Sequence, residues 1–196
     1  MYKKQMTAQK LICYAAIIIS AAVFVYALGI MTDLYDALYS TMRNSNDLTN
    51  TDVPGSIVYY NMQDFNSQFV IAGIVMILLG VLLFITNTHV RRKYYIGNLI
   101  ATAAYGVAGI IVMVWAHGQI ELYKAEFLQL DFAALKEHAE TWNTLYTEST
   151  FWFDLHYPLF LLVAVVIVLL VVNYVWKIKL MNAEQALLKN GKGAAA

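Results

Sequence analysis

The chain is poor in the residues that staple or punctuate a water-soluble domain: it has one cysteine, two prolines and only 13% charged residues. With Cys13 alone, no disulfide can form within the chain, which excludes the bridge-stapled designs common in exported domains. No Asn-x-Ser/Thr acceptor occurs in the sequence, so N-glycosylation of a surface loop is excluded too. Nucleotide-binding fingerprints and paired-ligand metal signatures are missing as well. Cations are few, and their positions follow topology rather than a binding face, so nucleic-acid binding is not expected.

The most telling scarcity is local. Residues 11–31, 67–86, 94–116 and 157–176 contain no Asp, Glu, Lys, Arg or His. Ion pathways, proton relays and coupled transporters ordinarily need ionisable groups at depth in the bilayer. Secondary transport through a single copy is therefore not expected. The polar residues in those stretches, Ser20, Asn98, Thr102, Tyr105 and Asn173, are expected to bond a neighbouring helix or their own backbone carbonyls.

What is abundant is apolar side chain, at 60% of the sequence. A water-facing domain is nearer half apolar and a quarter charged. A bilayer core about 30 Å thick takes about 20 apolar residues of helix, and each of the four stretches meets that length. The expected fold is all-α, a polytopic membrane protein with four transmembrane helices. The first stretch also invites comparison with a signal peptide, with Val25, Tyr26 and Ala27 as a weak cleavage site. It is longer than the usual apolar region of such a peptide, so an uncleaved span is expected.

Charge orients the bundle, because Lys and Arg near span ends remain cytoplasmic. Lys3, Lys4 and Lys10 precede the first span, Arg91, Arg92 and Lys93 sit between the second and third, and Lys177, Lys179, Lys189 and Lys192 follow the fourth. Those ten cations share their side with one acid, Glu184, whereas residues 32–66 and 117–156 carry three cations against twelve acids. Both termini are thus expected in the cytoplasm, with a tight cytoplasmic turn at 87–93, a cytoplasmic tail at 177–196 and two acidic outer loops. Trp115, Trp152, Tyr157, Tyr174, Trp176, Tyr94 and Tyr95 lie near span ends, where amphipathic rings favour the headgroup level.

The outer loops carry helical patterning. Leu34, Leu38 and Met42 continue the first span, and residues 119–145 keep helical intervals, with Asp131 starting a helix. The tail reads as a continuation of the fourth span. Gly97, Ala101, Ala104 and Ala108 form a small-residue stripe suited to close helix packing. The second and fourth spans, uniformly bulky, are the expected lipid-facing ones. Asp154 and His156 are the sharpest polar cluster, with His117 and His138 also expected outside. Their spacing fits no metal signature, and i, i+2 on a helix does not place two ligands on one face. Asp33 and Asp36 offer a second acidic position.

These features point to a non-catalytic membrane subunit or scaffold, without a cofactor, whose partners are the lipid bilayer and other proteins or its own copies. An oligomeric pore, and a membrane enzyme or ligand sensor built on the outer region near Asp154 and His156, are the alternatives. The absence of disulfides and glycosylation acceptors fits a bacterial plasma membrane.

Overall fold

The computed structural model describes residues 2–34, 55–87, 95–143 and 145–193. Six helices occur among them: α1 (Tyr2–Leu34), α2 (Ser56–Asn87), α3 (Tyr95–Phe127), α4 (Phe132–Trp142), α5 (Phe151–Asp154) and α6 (His156–Gly193). No strand occurs among the described residues. Four of the helices, α1, α2, α3 and α6, are long and apolar enough to cross a membrane, which fits an integral multi-pass membrane protein. At 1.5 Å per residue, the 33 residues of α3 reach about 50 Å, well beyond a core of about 30 Å. Each long helix therefore carries turns past its uncharged stretch, and these turns hold most of the chemistry.

The four long helices close into a ring, with α1 against α2 and α6, and α3 against α2 and α6. Contacts between distant residues fix an up-and-down order. Gln5 of α1 meets Asn173, midway along α6, and Tyr26 of α1 meets Trp152 just before α6 begins. One end of the bundle consequently gathers the start of α1 and the later half of α6, and the other gathers α4, α5 and residues 128–131 and 145–150. We call them the terminal end and the loop end.

The apolar core divides along the same axis. The loop-end cluster is built on large rings, including Phe65, Phe69, Phe127, Phe153 and Phe160. The cluster toward the terminal end is built on Cys13, Ala16, Met76, Leu83, Ala101, Tyr105 and Leu170. Trp115 packs against the loop-end core, tilted 5.3 Å from Phe65 and edge-on 6.3 Å from Phe69 between centroids, so this ring is an internal packing element. Tyr157 and Trp176, by contrast, are exposed.

The second span departs from the uniformly outward-facing helix its bulk suggests. One face, including Ile71, Ile74, Leu78 and Ile85, is exposed, whereas Met76 and Leu83 are buried on the other. The physical reason is a pair of glycines seven residues apart. A Cβ at Gly73 would lie 2.9 Å from the Phe24 Cα, and one at Gly80 would lie 3.3 Å from Ile17. Small residues let helix backbones approach closely where lipid supplies no hydrophobic drive. On the small-residue stripe of α3, Ala101 is buried and Ala108 packs on the terminal-end core. Ala104 is half-buried, and a Cβ at Gly97 would meet nothing within 4 Å.

Asp131 starts α4 as its sequence predicts: its carboxylate accepts from the backbone N–H groups of Ala133 and Ala134, both at 3.1 Å, satisfying donors that a helix start leaves open. α4 ends at Asn143, which adopts a left-handed conformation with φ 51°. The tail does continue the fourth span, as α6. The continuation expected through Leu38 and Met42, the turn holding Arg91, Arg92 and Lys93, and Asp36 lie outside the described residues.

Candidate functional site

The loop end concentrates the polar chemistry where α3 passes the start of α6. Locally, α5 occupies four residues, Leu155 follows, and His156 opens α6. Pro158 sits in the first turn of α6, where its missing N–H would have had no helical partner. Because Asp154 and His156 are two residues apart across this junction, their side chains reach different partners on α3.

Asp154 pairs with Lys124: the ammonium lies 2.5 Å from Oδ1, and Thr150 Oγ1 donates to Oδ2 at 2.7 Å. The Lys124 side chain is 20% exposed and that of Asp154 42%, so solvent screens the pair. Lys124 stands two turns beyond the uncharged stretch of α3. The hydrogen bond from Lys124 and that from Thr150 hold the Asp154 carboxyl below its ordinary range. Correspondingly, the bond to Asp154 raises Lys124. This pair ties α3 to α5, and the Tyr26 hydroxyl, donating to the Trp152 carbonyl at 2.8 Å, ties α1 to the same short helix.

His156 is fully buried. Its Nδ1 lies 2.5 Å from the Phe153 carbonyl; because a carbonyl only accepts, Nδ1 carries the hydrogen and Nε2 of the neutral ring presents its lone pair. That lone pair faces His117 Nδ1 at 2.8 Å, with Glu121 Oε1 at 3.8 Å. His117 and Glu121 are four residues apart on α3, hence on one face. Tyr157 donates to the same Glu121 oxygen at 2.7 Å. His117, Glu121 and His156 therefore bring three ligand atoms within 4.8 Å of one another, with His156 buried and His117 exposed.

The structure thus splits the polar cluster expected from sequence. His156 joins His117, Asp154 turns to Lys124, and His138 sits apart on α4. Glu121, read from sequence only as one of twelve outer acids, is the residue that reasoning missed. Its signal was present in the His-x-x-x-Glu spacing of residues 117–121, one helical turn, although nothing local says which distant residue completes the set. Asp33 lies in the last turn of α1.

At the terminal end the buried polar contacts run between neutral amides and hydroxyls. Gln5 donates to Gln9 at 2.7 Å and to Asn173 at 3.1 Å, and Gln9 donates to the Asn87 carbonyl. Ser20 donates to the Ala16 carbonyl at 2.7 Å, with the Tyr105 hydroxyl 3.0 Å from Ser20. Asn98 is buried, and neither end of its amide finds a partner among the described residues. Lys3, Lys4, Lys10 and Lys179 are exposed and Lys177 is half-buried.

Comparison with protein-family models, curated proteins and solved structures finds no match.

Proposed function

We propose that the chain is a non-catalytic subunit of a membrane, with both termini cytoplasmic, that binds protein partners or further copies of itself through its helix faces and its acidic loop end. The cation asymmetry supports this orientation, and the absence of disulfides and glycosylation acceptors favours a bacterial plasma membrane. One observation carries the functional reading: the interior of the bundle is filled. Many large rings pack it toward the loop end, and Tyr105 with small and aliphatic side chains packs it toward the terminal end. Ser20 and Tyr105 engage each other in place of lining a water path. A filled interior suits an assembly component better than a single-copy channel.

The loop end also offers a polar cleft of about 420 Å³ between α2 and α3, lined by Tyr60, Asn61, Asp64, Tyr123 and Glu126 among others. Its two carboxylates suit a cationic side chain of a partner.

Two experiments test the reading. Cys13 is buried, so an introduced cysteine labels over a low background. Glu148→Cys should react with an impermeant maleimide on intact cells, and Glu184→Cys only after permeabilisation; the reverse pattern overturns the orientation. Purification from native membranes in a gentle detergent should yield a defined complex or homo-oligomer. A lone monomer across detergents sinks the subunit reading.

A further inference from the structure

We propose that His117, Glu121 and His156 form a binding site for a divalent transition-metal ion of the zinc class. The inference is independent of the subunit reading, since a metal can be bound with or without a protein partner.

Four features converge. The donor set, two imidazoles and one carboxylate, suits Zn²⁺ and leaves a coordination position for water or a ligand. Its three ligand atoms already lie within 4.8 Å of one another. The deepest ligand is oriented in advance: the Phe153 carbonyl at 2.5 Å from Nδ1 fixes the ring so that Nε2 offers a lone pair, the outer-shell arrangement typical of metal-bound histidine. Glu121 is steadied likewise by the Tyr157 hydroxyl at 2.7 Å.

The change on binding is small and falls on the freest member. Zn–N bonds of 2.0–2.1 Å at a tetrahedral angle put two nitrogens about 3.4 Å apart, against 2.8 Å between His117 and His156. His117 is exposed and must retreat by roughly 0.6 Å, giving up its hydrogen bond to His156 for a bond to the ion. To become a ligand, its Nδ1 exchanges its hydrogen for one on Nε2, the other tautomer of the neutral ring. Glu121 must close in by a side-chain rotation, and at 37% side-chain exposure it has room to do so. Because one ligand is buried and two face outward, the remaining coordination position opens to solvent.

The test uses the full chain in detergent, stripped with chelator and titrated with Zn²⁺ or Co²⁺ alone. Wild type should take up one equivalent per chain, Co²⁺ should show the visible absorption of a four-coordinate site, and Zn²⁺ should raise the melting midpoint. His117→Ala and Glu121→Gln, which leave the buried histidine and its fold contacts in place, should each weaken binding at least 100-fold. Tyr157→Phe should weaken it roughly 10-fold, the lower range for losing an outer-shell partner. His138→Ala, on α4, should bind as wild type. The proposal is overturned if wild type binds no stoichiometric ion, if His117→Ala and Glu121→Gln bind as tightly as wild type, or if His138→Ala alone removes binding. Each of these outcomes leaves the co-purification result untouched, so the failure of one reading does not hide in the other.

Discussion

The two ends of this bundle are held together by different chemistry. At the loop end, large rings interlock and the polar contacts involve charge: Lys124 with Asp154, and Glu121 beside two histidines. At the terminal end the core residues are smaller, and the polar contacts run between neutral amides and hydroxyls. The contrast follows from where solvent reaches. Turns that extend past an apolar layer meet water, where burying a ring gains the full hydrophobic term and an ion pair can form without complete desolvation. Within an apolar layer the alternative to a helix contact is another apolar contact, so close approach and neutral hydrogen bonds decide the packing.

Matched truncations at the two ends give the largest expected effects. Phe127 is fully buried, with ring centroids 5.3 Å from Phe132 and 5.4 Å from Phe153. Phe127→Ala should cost about 3–5 kcal/mol. Leu83 is equally buried, yet its unfolded reference is itself apolar, so Leu83→Ala should cost about 2 kcal/mol, the low end for such a change. Unfolding of both variants in mixed micelles checks this; equal losses would remove the proposed distinction between the ends.

Helix approach comes next. Gly73→Val forces a side chain against the Phe24 backbone and should destabilise by about 1–3 kcal/mol. Gly97→Ala enters open space and should be neutral or gain up to about 1 kcal/mol from helix propensity. Should both prove neutral, the α1–α2 contact is more yielding than its 2.9 Å approach implies.

The glycine pair also shows how far the sequence could be read. Hydropathy and length alone marked the four long helices, because twenty uncharged apolar residues leave few alternatives. Asp131 announced α4 through a local side-chain-to-backbone bond. Which face of α2 turns inward was less legible, since bulk averaged over a span conceals two glycines at one angular position. At the site, His156 was visible as a polar residue at a span end, and His117 with Glu121 carried a one-turn spacing. Their meeting with His156 depends on how α3 and α6 pack across a sequence separation of 39, which no local pattern encodes.

A smaller effect belongs to the neutral bonds near the terminal end. Tyr105→Phe removes the hydroxyl that contacts Ser20 at 3.0 Å and the Ala16 carbonyl at 3.1 Å. The expected loss is about 0.6 kcal/mol, the average for a hydrogen bond between membrane helices. A double-mutant cycle with Ser20→Ala should recover most of it as coupling. Additive losses would mean that the two hydroxyls serve separate partners.

The smallest effect is at the ion pair, and pH separates it from packing. The folded-state pKa of Asp154 is held below its ordinary value, so its contribution is fully present above the unfolded carboxylate pKa of about 3.9 and is lost as pH falls through the lower, folded value. With the Asp154 side chain 42% exposed, solvent and salt screen the attraction to about 0.2–0.5 kcal/mol, the low half of the range for exposed pairs. Asp154→Asn should therefore lower stability slightly at pH 7. The gap to wild type should close as pH falls below 4 and should narrow in high salt at neutral pH. If the gap persists unchanged into acid, the loss comes from the Thr150 bond and local packing, and charge is not what distinguishes the loop end at this contact.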